Sequence, residues 1–392
     1  MDFPRADKRT VGLSIQLAKT GWTLEKKVWD LAQTGCNIHD NSLLQGEAAR
    51  SVYIWVAVSI RTETKTSGEL RQKIWAVPST DEISALRSQP RFFEASCFMA
   101  ASLAEMFQRS QALSVLLSDR ARQLIGYVAL HLHWSGVPGT DHPGLTISKL
   151  KAICVEQKFC SASRVEVMVA AMRLFGFARV ERDPYDHRVK LLVLTEKPIL
   201  AQMRRWRRQF TAMAMIMPEG QLGLDGLEHP EFPPALAGKL YECYASCVRI
   251  ITAVPGLDKF MDRNSGMAIL LHLTAASVPA SDVPDARAAM ATASGLSKRF
   301  RVSRAHVRKL LEEGEAVGYF RRTEPDSARI LVLQPWIDVF ETIYAATFAQ
   351  LGDCAREAMQ EIARGTAKAR YGIERRAILL HNDGREPAWT QS

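Results

Sequence analysis

The sequence predicts a mostly helical α+β fold: two tandem copies of one helix-rich unit that closes on a β-hairpin, behind an N-terminal extension with a hairpin of its own. Three observations predict it. The stretch Ser161–Leu194 recurs as Ser303–Leu333, with Gly176-Phe177 falling on Gly318-Tyr319, from 176 to 318, at an offset of 142 residues. A fixed offset of this kind marks repeated structure and is sought before any local reading. In each copy apolar residues recur at helical spacing up to the glycine, and short β-rich runs around a proline-bearing tip follow it.

Composition bounds the rest. The 392 residues are 47% hydrophobic and 24% charged, as in ordinary folded domains, and the net charge is +9. No apolar run approaches the roughly 18–20 residues a membrane helix needs. Met1-Asp2-Phe3-Pro4-Arg5 lacks the basic patch and apolar core of a secretion signal, so a cytoplasmic location and no membrane partner are expected. Seven scattered cysteines without a CxxC pair argue for structural thiols rather than a disulfide framework or a zinc ribbon. No metal and no cofactor are expected.

Residues 1–89 form the extension, in which Ser51–Ile60 runs to Thr66-Ser67-Gly68-Glu69 and returns through Lys73–Val77. The first unit, 90–220, opens on a helix with Phe92, Ser96, Met99, Leu103 and Phe107 on one face. Helices over about 119–135 and 146–156 follow, and a third begins near Ser161. That serine suits an N-cap, Ser163 and Glu166 have capping-box spacing, and Gly176 stands where a left-handed C-cap is wanted. Strands over about 177–183 and 188–195 flank the tip Asp183-Pro184-Tyr185-Asp186.

The second unit, 230–352, repeats this order. Leu236, Leu240, Tyr244, Cys247 and Ile251 face one way on its first helix, and helices over about 262–277 and 286–300 come next. A helix from Ser303 to Gly318 leads to strands over about 319–323 and 328–333 around Glu324-Pro325-Asp326-Ser327. A last helix carries Trp336, Phe340, Ile343, Thr347 and Leu351, and 353–392 read as a basic helix fading after Gly384. Helix, helix, turn, helix, hairpin is the winged helix-turn-helix order.

One run is more specific. Asp186-His187-Arg188, five residues, then Leu194-Thr195 resembles the wing signature of multiple-antibiotic-resistance-regulator (MarR) proteins, bacterial winged-helix transcription regulators. The resemblance covers about 90–217 and, more weakly, 231–352. It implies a sequence-specific DNA-binding regulator in which Arg188 enters the minor groove and Asp186 orients it. A carboxylate so placed can hold a guanidinium by charge-assisted hydrogen bonds. The second copy departs from the signature, with Asp326 and Arg329 further apart and Leu333-Gln334 in place of Leu-Thr. Most relatives are homodimers on palindromes. Two unequal units in one chain imply an intrachain pseudo-dimer on an asymmetric site, either monomeric or further self-associated.

Charge points the same way. Ser297–Leu311 holds six basic residues, Lys298, Arg299, Arg301, Arg304, Arg308 and Lys309, together with His306 and no acid. It spans the turn and the helix that enters the major groove in this motif. The expected contacts to double-stranded DNA are Ser161, Ser163, Arg164, Arg182, Asp186, His187 and Arg188 from the first copy. Lys298, Arg299, Arg301, Ser303, Arg304, His306, Arg308, Arg321, Arg322 and Arg329 are expected from the second.

Other signals read as structural. Arg204-Arg205-Trp206-Arg207-Arg208 suits an exposed helix face with Trp206 turned inward, and His131, His133 and His142 near Cys154 suit core or surface histidines. No Walker loop, strand-borne G-x-G-x-x-G or nucleophile elbow occurs, so no catalysis is expected. The family resemblance further implies a small aromatic effector, with Trp134, Trp206, Tyr241 and Tyr244 as candidate walls. Two rivals stay open. Plasmid replication initiators also carry tandem winged helices, though none of their motifs occurs here, and an interaction scaffold would keep the fold without binding DNA.

Overall fold

The computed structural model describes residues 75, 77–135, 144–182, 188–246, 257–324 and 327–367. The hairpin turn at Thr66-Ser67-Gly68-Glu69, the tip carrying Asp186 and His187, Cys247 and Ile251, Asp326 and the tail beyond Gly384 lie outside them. The fold is mostly helical with two small antiparallel sheets.

Helix α1 (Thr80–Arg87) starts at a full capping box in which Ser79 and Glu82 satisfy each other's backbone amides. Next come α2 (Phe92–Arg109), α3 (Gln111–Leu116), α4 (Arg120–Ser135), α5 (Ile147–Glu156) and α6 (Ala162–Leu174). Strands β1 (Ala178–Arg182) and β2 (Lys190–Leu194) pair from Ala178↔Leu194 to Arg182↔Lys190. Thr146, just before α5, bridges to Leu191 of β2. Helix α7 (Glu196–Ala214) ends the first copy, burying Ile199, Trp206, Phe210 and Met213.

The second copy holds α9 (Phe232–Ala245) after a connecting α8 (Pro218–Gly226), then the short α10 (Asp258–Met261) and α11 (Gly266–Ala275). Strands β3 (Val278–Pro279) and β4 (Ala286–Met290) precede α12 (Ala293–Phe300) and α13 (Arg304–Ala316). Strands β5 (Phe320–Arg322) and β6 (Arg329–Leu333) complete a four-stranded sheet in the order β3-β4-β6-β5, and α14 (Gln334–Ala363) closes the chain described.

The repeat is visible at its hinges. Gly176 and Gly318 have φ of +68° and +74°, the left-handed turn expected after each helix. The Leu194-Thr195 pair also has a structural explanation. Leu194 is buried, and the Thr195 hydroxyl donates to the Gly176 carbonyl at 2.8 Å, tying the hairpin's end to the turn that began it.

Four expectations need correction. The helix predicted over 286–300 begins only at Ala293, because Thr292 caps it there and Ala286–Met290 pairs with β6 along its whole length. Alanine favours helix, but the open edge of β6 outweighs so weak a preference. Ser163 makes no capping box: Ser161 is the N-cap residue, and Glu166 instead pairs with Lys151 at 2.7 Å. No break follows Leu351, since the buried stripe of α14 continues through Cys354, Ala355 and Ala358. Its inner face also passes through Tyr344 and Phe348 rather than the half-buried Ile343 and Thr347. The sequence reading missed α8, whose Gly223 sits so close to α7 that an added Cβ would fall 2.2 Å from the Phe210 ring.

The copies share one core. Phe92 of α2 meets Phe348 of α14 edge-on at 6.0 Å, Phe93 meets Phe340 at 5.9 Å, and Tyr127 of α4 meets Tyr244 of α9 at 5.1 Å. The fully buried rings among them, Phe92, Phe340 and Phe348, are each worth roughly 1.5–3 kcal/mol. Arg87 of α1 donates to Glu341 and Asp338 of α14 at 2.7 and 3.0 Å. The thiols fit a structural part, because burial pushes Cys97 up to about 11 and Cys154 up to about 12, leaving both protonated at neutral pH.

Candidate nucleic-acid interface

The strongest concentration of charge lies on α12, the turn and α13. Thr292 accepts from Gly295 N–H at 3.0 Å to start α12, and Arg301 ends it in a left-handed conformation with φ of 55°. Ser303 starts α13 by accepting from His306 N–H at 3.1 Å. Along this stretch the apolar positions turn inward: Leu296, Phe300, Val307, Leu310 and Leu311 are buried. Lys298, Arg299, Arg301, Ser303, Arg304, Arg308 and Lys309 are therefore left on the surface, all exposed. Helical periodicity thus leaves the cations of a mixed sequence at the surface.

Residues of this stretch have structural partners as well. The His306 ring Nε2 donates to the Asn264 carbonyl at 2.9 Å, which orients it toward the loop before α11. Arg299 donates through Nη1 to His272 Nε2 at 2.7 Å. A guanidinium has only donors, so His272 must be neutral there. Burial, and then the Arg299 charge, hold its imidazole down to about 4.

The hairpins divide differently from expectation. Arg321 is exposed, but the Arg322 side chain is only 5% exposed and is bound through Nε at 2.9 Å and Nη2 at 2.6 Å to Glu315 of α13. Arg322 therefore pins the hairpin to the helix, with little of its side chain open to solvent. Arg329 is held by both oxygens of Asp282, with Nη1 to Oδ2 at 2.7 Å. A carboxylate thus orients Arg329 of the second hairpin, and it comes from the β3–β4 turn 47 residues away. Only strand pairing brings Asp282 there, so no local motif could have shown it.

The first copy is poorer in free charge. Ser161 stands at the N-cap without a side-chain capping bond, and Ser163 is exposed on the first turn of α6. Arg164 lies 3.3 Å from the buried carboxylate of Asp119, which also accepts from Arg122 N–H at 3.1 Å. Arg182 and Arg188 are exposed on the hairpin, while the Asp186 and His187 expected beside them lie outside the described residues.

The basic cluster on α7 follows its structural reading. Trp206 is fully buried and stacks on Trp134 with ring centroids 6.3 Å apart. Arg207 pairs with Glu228 and Arg208 with Glu105, each at 2.7 Å, and Arg205 lies over the Tyr127 ring. The aromatic residues proposed as effector walls are spent on packing: Tyr241 stacks on His131 at 4.0 Å and the half-buried Tyr244 packs against Tyr127. A cavity of about 60 Å³ lies elsewhere, among Leu113, Tyr127, Met168, Phe177, Gln202 and Arg205 beneath α6. Among the described residues no helix is long and apolar enough to cross a membrane. Comparison of the chain with models of protein families, with curated proteins and with solved structures gives no match.

Proposed function

We propose that the chain is a sequence-specific DNA-binding regulator whose two copies are winged helix-turn-helix units of MarR-like design, acting as an intrachain pseudo-dimer on an asymmetric site. The observation that carries this reading is the run of exposed cations from the end of α12 into the first turns of α13, Lys298, Arg301, Arg304, Arg308 and Lys309, in a stretch, Ser297–Leu311, whose sequence contains no acid. Phosphate neutralisation by such residues supplies affinity, and a helix N-terminus with arginines can reach base edges. A plain solvated helix would intersperse acids among them. A small aromatic effector, in this reading, takes the cavity beneath α6. At about 60 Å³ the cavity must widen first, since a space of about 150 Å³ is what admits benzene.

The test is fluorescence-anisotropy titration against the chain's own upstream promoter fragment and a random duplex, at two salt concentrations. Tight, salt-sensitive binding that prefers the promoter is expected. Arg304→Ala weakens binding and relaxes base preference, whereas Arg188→Ala weakens it with less change in preference. Binding by both variants at the wild-type level removes the site assignment, and absence of binding at low salt favours the scaffold reading.

A further inference from the structure

The two helices at equivalent places in the repeat, α6 and α13, have the same inside and different outsides. Ser161 and Ser303 are their N-caps, so positions 142 residues apart correspond. On the inner face Val165, Met168 and Val169 answer Val307, Leu310 and Leu311, and all six are buried. On the outer face Arg304, Arg308 and Lys309 are answered by Ala162, Glu166 and Val167, and all six are exposed. Val167 is 61% exposed and Leu174, further along the same face, 81%. Isolated exposed apolar residues are ordinary, but here they replace cations at the positions that would meet a ligand.

Both helices start from one joint. Asp119 holds Arg164 on the first turn of α6, and the Asn264 carbonyl takes the His306 ring on the first turn of α13. The residues beside these anchors join directly: Ser265 N–H donates to the Ser118 carbonyl at 2.9 Å, and Arg120 pairs with Asp262 at 2.9 Å.

Resting on the DNA-binding reading above, we propose that the two helices read one duplex in different bases: α13 selects guanine, and α6 selects thymine by its methyl group and excludes guanine. Guanine offers two acceptors, O6 and N7, in the major groove, which suit the Arg304 and Arg308 guanidinium donors. The same edge repels the carboxylate of Glu166, which stands at the place of Arg308. Thymine offers a methyl group there, and the side chains of Ala162 and Val167 are the apolar surface that covers it. The occupant of this face is DNA rather than protein because its counterpart 142 residues on is the basic face. The exposed Arg173, Arg182 and Lys190 nearby also suit a phosphate backbone.

The experiment is selection of the full chain on a randomised duplex library, followed by anisotropy titration of the enriched duplex and of the same duplex with uracil in place of thymine. That exchange removes the methyl group alone. The expected site is asymmetric, with a guanine block and a separate thymine-rich block. Uracil in the second block weakens wild-type binding about fourfold, as for one methyl returned to water. Val167→Ala, a substitution at an exposed position that leaves the fold intact, is indifferent to the exchange. Arg304→Ala flattens the guanine preference about tenfold and leaves the uracil effect in place. A palindromic enriched site, or equal wild-type affinity for thymine and uracil duplexes, overturns this inference and leaves DNA binding standing. Failure of the wild type to bind any duplex overturns the DNA reading itself. Self-association in sedimentation that Val167→Ala abolishes would then assign the face to a second copy of the chain.

Discussion

Replacing Thr274 by valine isolates one buried contact that joins α14 to the body of the second copy. The Trp336 indole N–H donates to Thr274 Oγ1 at 2.6 Å, and both residues are fully buried. The threonine hydroxyl in turn donates to the Leu270 carbonyl at 3.0 Å within α11. Valine has nearly the same shape, so packing changes little, but the indole N–H is left without an acceptor and without water. That orphaned donor costs about 1–3 kcal/mol, while the Leu270 carbonyl keeps its helical partner. The double variant Thr274→Val with Trp336→Phe removes both ends of the bond, so its loss should fall short of the sum of the single losses by about 1–2 kcal/mol. Urea unfolding followed by far-ultraviolet circular dichroism measures all three variants and avoids the fluorescence change that loss of a tryptophan brings. Additive losses would refute the view that the hydrogen bond, rather than the tryptophan's apolar burial alone, holds α14 in place.

Two further predictions concern stability. His272 titrates near 4 in the folded chain against 6.5 for an ordinary histidine, so between these values the unfolded chain binds more protons. Its contribution is therefore fully present above pH 6.5 and is lost as pH falls toward 4, by about 1–2 kcal/mol after allowance for its partial exposure. Stability curves from pH 7 to 4 that have the same slope in the wild type and in His272→Gln would show that another group governs the loss. Gly318→Ala and Gly314→Ala, four residues apart, separate strain from clash. The first meets open space and costs about 1 kcal/mol, for a left-handed φ alone. The second places a Cβ 2.5 Å from the Phe320 ring and costs about 2–3 kcal/mol by overpacking. Equal unfolding midpoints for the two would mean that the α13–β5 contact yields.

How much was legible in the sequence depended on how local the cause was. The helix stops at Gly176 and Gly318, the hairpins after them, the N-cap at Ser303 and the inward turn of Trp206 follow from neighbours within a few residues. The basic face of α13 was legible too, because a period of 3.6 residues places Arg304 and Arg308 together whatever surrounds them. Tertiary contact decided the remainder. Ala286–Met290 is a strand because β6 offers it an edge, although its own residues favour a helix. Arg322 and Arg329 both lie in the second hairpin, and sequence gave both the same role. Glu315 draws the first into a buried pair, whereas Asp282 presents the second at the surface. Tyr241 and Tyr244 of α9 pack on His131 and Tyr127 of α4 instead of framing the effector pocket expected of them, since covering the rings outweighs an open space between them. Periodicity and turn chemistry act over one or two helical turns. Which charge finds a partner, and which edge finds a strand, is settled by residues tens of positions away that only folding brings near.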